Sequence, residues 1–235
     1  MKTERIDLEV TGGGTMGCFV ARPDGEVHGG LIVLQEAFGV NDHIRDMTER
    51  FAREGYLSIA PELFHRTAPG FESGYDNLPA DAPNWAHMDA LTNEGIVADI
   101  TAAHVWLKEQ GVTEASIGVV GYCMGGRAAY LANTKLPLGA AVSYYGGGIA
   151  KILDDASQMQ APILLFWGGQ DKNIPQTDIN AITDTFTSMQ KEYTNVVFSY
   201  AGHGFSCDAR ASYNEKAAKE AWTLTLQFLR DSLQK

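Results

Sequence analysis

The run Gly121-Tyr122-Cys123-Met124-Gly125 constrains this chain more than any other five residues. An apolar stretch over 115–120 leads into it, and small residues at helical spacing over 126–133 follow. The segment therefore reads as strand, sharp turn and helix, with one nucleophilic side chain at the apex. A turn this tight forces its apex residue into strained backbone. A side chain at either flanking glycine would collide with the neighbouring strand or helix. The sulfur would stand at a helix N-terminus, where the positive end of the dipole favours thiolate. A small buried cysteine is also a common core residue. The pentapeptide alone leaves that reading open, and the placement of partner residues decides between the two.

The rest of the chain alternates strands and helices. Residues 6–10 and 15–21 alternate in polarity around Thr11-Gly12-Gly13-Gly14 and predict an antiparallel hairpin at a sheet edge. Short continuous apolar runs at 30–34, 56–60, 115–120, 139–145 and 162–167 predict strands buried on both faces, and 195–200 a further strand. Helical spacing marks 42–53, 88–109, 177–189 and 213–233. This alternation predicts an α/β fold with a mostly parallel central sheet and helices on both faces. No repeat, linker or shift in composition divides the chain, so 1–235 is expected to be one domain. Residues 61–88, rich in Pro, Gly, Asp and Asn, are long for a connection and are expected to form a cap or lid.

Composition narrows the function classes. The net charge of −11, with no Lys/Arg cluster, argues against nucleic acid as a partner. No apolar run approaches the roughly 20 residues that cross a bilayer. Cys18, Cys123 and Cys207 are too few and too irregularly spaced for a disulfide framework or a zinc motif. With no apolar signal segment at the start, a reduced cytoplasmic location is the expectation, and no metal is expected.

Open parallel sheets place their sites at the carboxyl ends of strands. After 31–34 come Gln35, Glu36, Ala37 and Phe38. After 115–120 comes Cys123. After 163–167 comes Asp171, and after 196–201 comes His203. A nucleophile, an acid and a histidine thus appear in the chain order Cys, Asp, His, each just beyond a strand. His203 is placed to take the thiol proton, and Asp171 to orient its imidazole. The backbone N–H groups of Ala37 and Met124 are placed to form an oxyanion hole. Each member has a structural alternative: Asp171 as a turn cap, His203 as a turn histidine. His65, His87 and His104 show that histidines also occur here without such placement. Glu36, straight after a buried strand, is costly there unless paired or protonated. It is expected to hydrogen-bond the Cys123 thiol in competition with His203. Phe38, Trp85, Tyr144 and Tyr145 are expected to line an aromatic pocket, although some of these rings would serve the core.

Gln35-Glu36-x-Phe38-Gly39, Gly121-Tyr122-Cys123-x-Gly125-Gly126, Tyr144-Tyr145-Gly146, Gly168-Gly169-Gln170-Asp171 and Ala201-Gly202-His203-x-Phe205 together resemble the dienelactone hydrolase family of α/β-hydrolases. The resemblance runs through most of the chain, including Pro61-Glu62-Leu63. It implies a triad of Cys123, Asp171 and His203, with Glu36 holding the resting cysteine neutral until substrate displaces it. It also implies hydrolysis of an ester or enol-lactone through an acyl-thioester, with no metal or organic cofactor. Family members that open dienelactone anchor its carboxylate with arginines, one a few residues after the histidine. Here Arg210 is the first arginine beyond His203, and Arg66 is the other possible substitute. A broader carboxylesterase or thioesterase acting on uncharged substrates stays open on that account. A thiol-redox protein using Cys123 and Cys207 also stays open, although it leaves Asp171 and His203 unexplained. The sequence leaves the oligomeric state open.

Overall fold

The computed structural model describes residues 1–75, 79 and 81–233. The expected 61–88 cap therefore falls partly on 76–78 and 80, which lie outside the described residues. Eight strands form one sheet: β1 (Lys2–Val10), β2 (Gly14–Arg22), β3 (Gly29–Leu34), β4 (Tyr56–Pro61), β5 (Ile117–Tyr122), β6 (Ala140–Tyr144), β7 (Ile163–Gly168) and β8 (Tyr193–Phe198). Their order across the sheet is β1-β2-β4-β3-β5-β6-β7-β8. β1 and β2 form the antiparallel hairpin, β2 pairs antiparallel with β4, and all remaining pairings are parallel.

Burial follows sheet position. β3 to β7 are buried at every residue, whereas the edge strand β1 alternates between exposed and half-buried positions. Continuous apolar runs therefore mark the strands covered on both sides. Neighbouring residues of β3 show the two layers directly. A side chain at Gly30 would meet Leu107, on helix α3 (Asn93–Glu109). Leu31 and its register partner Gly118 face the opposite side, where Leu229 and Leu233 of helix α6 (Glu215–Leu233) pack. Helix α1 (Asp42–Arg53) shares that side with α6, and Phe51 meets Trp222 at 4.8 Å between ring centroids. Helix α4 (Met124–Lys135) packs beside α3. Helix α5 (Gln176–Ser188) carries Phe186, which stacks on Tyr130 of α4.

Two expectations need correction. The predicted single helix over 88–109 is two helices, α2 (Pro83–Asp89) and α3. The break falls at Thr92, whose hydroxyl accepts the Gly95 N–H at 3.0 Å and caps α3 afresh. The last strand lies two residues earlier than predicted, at Tyr193–Phe198.

The order of the sheet reverses between β3 and β5, because β4 returns to one side of β3 and β5 to the other. This is the switch point where open parallel sheets leave a crevice at their carboxyl ends. Glu36 and Ala37 leave β3 on one side of it, and Cys123 leaves β5 on the other. Segment 61–75 closes over this end. Gln35 Oε1 accepts the Leu63 N–H at 3.0 Å, and Gly39 forms an antiparallel bridge with Glu72.

Candidate active site

Cys123 has φ 56° and ψ −117° between the last residue of β5 and the first of α4. A non-glycine residue there carries strain of about 1–3 kcal/mol. The flanking glycines explain how the turn closes. A Cβ at Gly121 would lie 1.9 Å from the Gly125 carbonyl oxygen, and one at Gly125 2.4 Å from that of Leu34. The Cys123 N–H donates to Tyr144 O at 2.9 Å, and its carbonyl accepts from Gly126 N–H at 2.9 Å. The apex is thus pinned to β6 and to α4, and its half-buried side chain faces the cleft.

His203 Nδ1 lies 2.6 Å from Asp171 Oδ2. Cys123 is the other group close enough to the imidazole to raise its pKa. Burial works against a charge on this ring, but Asp171 and Cys123 outweigh burial and raise the imidazole to about 10. Asp171 also caps its own turn, since Oδ1 accepts the Asn173 N–H at 2.8 Å. The two readings of Asp171 are therefore compatible, one on each oxygen. The loops carrying Asp171 and His203 touch through the Gln170 N–H, which donates to Ala201 O at 2.8 Å.

The Met124 N–H opens α4 and has no intrahelical acceptor. The Ala37 N–H donates to no other group among the described residues. The Ala37 loop is fixed by Asn84 of α2, whose Nδ2 donates to Ala37 O at 2.9 Å and to Ser73 Oγ at 2.6 Å. Both N–H groups border a cleft of about 510 Å³. Phe38, Trp85, Met88, Leu91 and the Met124 side chain give it an apolar wall, and Arg127, Arg210 and His203 bring charge.

Several sequence expectations are placed differently. Phe38 and Trp85 line this cleft, but Tyr144 and Tyr145 do not. Both tyrosines are buried beneath it, with Tyr144 Oη 2.7 Å from Thr225 Oγ1 and Tyr145 Oη 2.8 Å from Ser206 Oγ. The Tyr145 ring packs against His203 at 5.0 Å between centroids, so it buttresses the histidine from below. Glu36 makes no hydrogen bond to Cys123. It is fully buried, and its Oε1 accepts from Arg210 Nη1 at 3.0 Å. The physical reason is charge: a guanidinium offers the carboxylate a stronger partner than a thiol does. Arg66 lies away from the cleft, bound to Asp99 at 2.7 Å.

Sequence reasoning missed Arg127 and Asn84. Arg127 is half-buried on the cleft wall, with Asn93 Oδ1 as its hydrogen-bond acceptor at 2.5 Å, and burial lowers its pKa. It stands one helical turn after Cys123, so the signal was its i, i+4 spacing from the nucleophile.

Among the described residues, no helix is long and apolar enough to cross a membrane. A sequence profile of the dienelactone hydrolase family matches residues 16–233. The chain is 31% identical over 232 residues to the carboxymethylenebutenolidase of Pseudomonas putida, covering 97% of each. It is 36% identical over 212 residues to a Synechocystis sp. protein provisionally given the same name, covering 86% of each. The crystal structure of a provisionally named dienelactone hydrolase from Klebsiella pneumoniae superposes with a TM-score of 0.86 at 30% identity, covering 97% of this chain and 99% of that one.

Proposed function

The chain belongs to the dienelactone hydrolase family, and from that premise we propose that it hydrolyses a small carboxylic ester or lactone with Cys123 as nucleophile, His203 as acid and base, and Asp171 as the group that orients His203. One observation carries this reading. His203, bonded to Asp171 at 2.6 Å, lines one cleft together with Cys123, Ala37 and Met124. The chain reads as one domain, with Trp85 and Met88 of the expected 61–88 cap on the cleft wall.

His203, whose pKa is raised to about 10, takes the proton of the Cys123 thiol. The Cys123 sulfur attacks the carbonyl carbon, and the oxygen that gains charge is met by the N–H groups of Ala37 and Met124. The tetrahedral intermediate collapses, the C–O bond breaks, and His203 gives its proton to the departing oxygen. In a lactone that oxygen stays tethered to the acyl group. Water then attacks the thioester, His203 takes its proton, and the acid leaves as the Cys123–carbonyl bond breaks. Asp171 holds Nδ1 throughout, so Nε2 faces the sulfur. Glu36, engaged by Arg210, leaves the sulfur to His203.

The apolar wall of Phe38, Trp85, Met88 and Leu91 favours a second reading, a broad carboxylesterase for uncharged substrates. Hydrolysis of p-nitrophenyl acetate beside a cis-dienelactone, in wild type and Cys123→Ala, separates the two. Dienelactone turnover lost in the variant supports the family reaction. Aryl ester turnover alone, also lost in the variant, supports the esterase. Turnover retained by Cys123→Ala sinks the nucleophile assignment.

A further inference from the structure

Behind the catalytic cleft lies a group of buried polar atoms that the proposed reaction does not use. Glu36 Oε2, both ring nitrogens of His43 and the Tyr122 hydroxyl have no hydrogen-bond partner among the described residues. One ligand-type atom each of Glu36, His43 and Cys207 lies within 4.8 Å of the other two, and all three residues are buried. A buried polar group left unpaired is costly, so orphan atoms on two of these three converging residues call for a shared partner.

We propose that Glu36, His43 and Cys207 enclose one water molecule, and that through it His43 acts as a positioning residue that keeps Glu36 on Arg210 and off Cys123. The inference rests on the reading of Cys123 as nucleophile. Two groups sharing a tetrahedral water at about 2.8 Å each stand about 4.6 Å apart. The site is polar and offers the two to four partners that a buried water needs.

The chemistry of the three groups selects water over a cation. Burial lowers the pKa of His43, so the ring is neutral and offers one N–H and one lone pair. Burial and the nearby Glu36 charge push the Cys207 thiol up to about 11, so it keeps its proton. A guanidinium already sits on the other oxygen of Glu36. Water can accept from His43 and donate to Glu36 Oε2 without displacing a proton. A metal ion would have to expel the Cys207 proton and lie beside Arg210.

Glu36 thereby has a donor on each oxygen, Arg210 on Oε1 and the water on Oε2. Without His43 the water loses its anchor, and Oε2 is released toward the Cys123 thiol, which shares Arg210 with Glu36 as a charged neighbour. His43 is thus expected to set the reactivity of a sulfur that it does not touch.

The test is the rate at which iodoacetamide alkylates Cys123 at pH 7, followed by mass spectrometry, with melting temperature measured alongside. His43→Ala is expected to slow alkylation about tenfold, the scale of one hydrogen bond to a charged group. His43→Asn, which keeps an amide donor, should recover most of that loss. In a Glu36→Gln background the same His43→Ala change should alter the rate less than about twofold, because the two residues act as one unit. An equal fall in both backgrounds, or none in either, overturns the proposal. If His43→Ala does not fold, His43→Asn and His43→Gln in the two backgrounds carry the same comparison. Elemental analysis of the purified protein is the second arm. A stoichiometric transition metal lost in His43→Ala would replace the water with a metal site and overturn the proposal. Retained ester turnover in Cys123→Ala would instead sink the nucleophile assignment, leaving the alkylation coupling readable.

Discussion

The molecule contains two histidine–aspartate pairs, bonded through opposite ring nitrogens and set in quite different surroundings. His203 Nδ1 lies 2.6 Å from Asp171 Oδ2, and His65 Nε2 lies 3.0 Å from Asp99 Oδ1. The side chains of the first pair are 15% and 1% exposed, and those of the second 1% and 0%. Asp99 also binds Arg66 at 2.7 Å, so His65 shares its carboxylate with a permanent cation. Asp171 spends its other oxygen on a backbone N–H, and no second cation competes for it among the described residues. The free nitrogen of His203 faces a cleft and a sulfur. His65, on the 61–75 segment, is sealed against Asp99 of α3. A histidine–carboxylate bond is therefore not a catalytic signature by itself. What separates the pairs is the neighbour on the far side of the ring and the route to solvent.

The largest effect should come from breaking the first pair where it meets the nucleophile. Cys123→Ala and His203→Ala are each expected to lower kcat for an ester substrate by about 10⁴-fold. Their melting temperatures should stay within a few degrees of wild type. Activity above a tenth of wild type in His203→Ala would remove it as the base. Asp99→Ala should do the reverse. It leaves Arg66 and His65 without a buried counter-charge and is expected to cost about 3 kcal/mol, or roughly 6–12 °C in Tm. The kcat of the folded fraction should stay within about twofold. If Asp99→Ala abolishes turnover in fully folded protein, the two pairs are not functionally distinct.

Stability against pH sharpens the comparison. The His203 pKa is raised from 6.5 to about 10 in the folded protein. A raised pKa means that the folded state binds the proton more tightly. The contribution is fully present below pH 6.5, falls through the interval, and is gone once pH exceeds about 10. Urea unfolding between pH 6.5 and 10 should therefore show a decline in stability that His203→Gln flattens. An identical slope in wild type and variant would contradict the ion-paired state.

The elbow and the three strand ends were legible in the sequence because each is written in backbone constraints. Glycines stand where a Cβ would overlap a carbonyl, and apolar runs stop where strands leave the core. The partner of Glu36 was not legible, because Arg210 is 174 residues away and only the closed fold brings the two charges together. Tyr144 and Tyr145 read as pocket aromatics because they follow a strand end, yet both hydroxyls find partners below the sheet edge. A ring at a strand end can turn either way, and spacing does not say which. The helix break at Thr92 was readable in principle, since a threonine three residues before a glycine N–H can cap, but apolar periodicity on both sides masked it.

The smallest effect tests whether the two oxygens of Asp171 have separate jobs. Oδ2 orients His203, and Oδ1 accepts the Asn173 N–H. Asp171→Asn keeps an oxygen for the turn but removes the charge that faces imidazole. Asp171→Ala removes both. Turnover should therefore fall by about 10²–10⁴-fold in both variants. Stability should separate them, with Asp171→Ala about 1 kcal/mol below Asp171→Asn for the lost turn bond. Chemical denaturation at pH 7 reads that gap. Equal stability would mean that the Asn173 contact contributes nothing and that Asp171 is held in place by His203 alone. A gap of the expected size with equal activity loss would mean that one residue fixes its loop with one oxygen and its histidine with the other, which the sealed pair at Asp99 does not do.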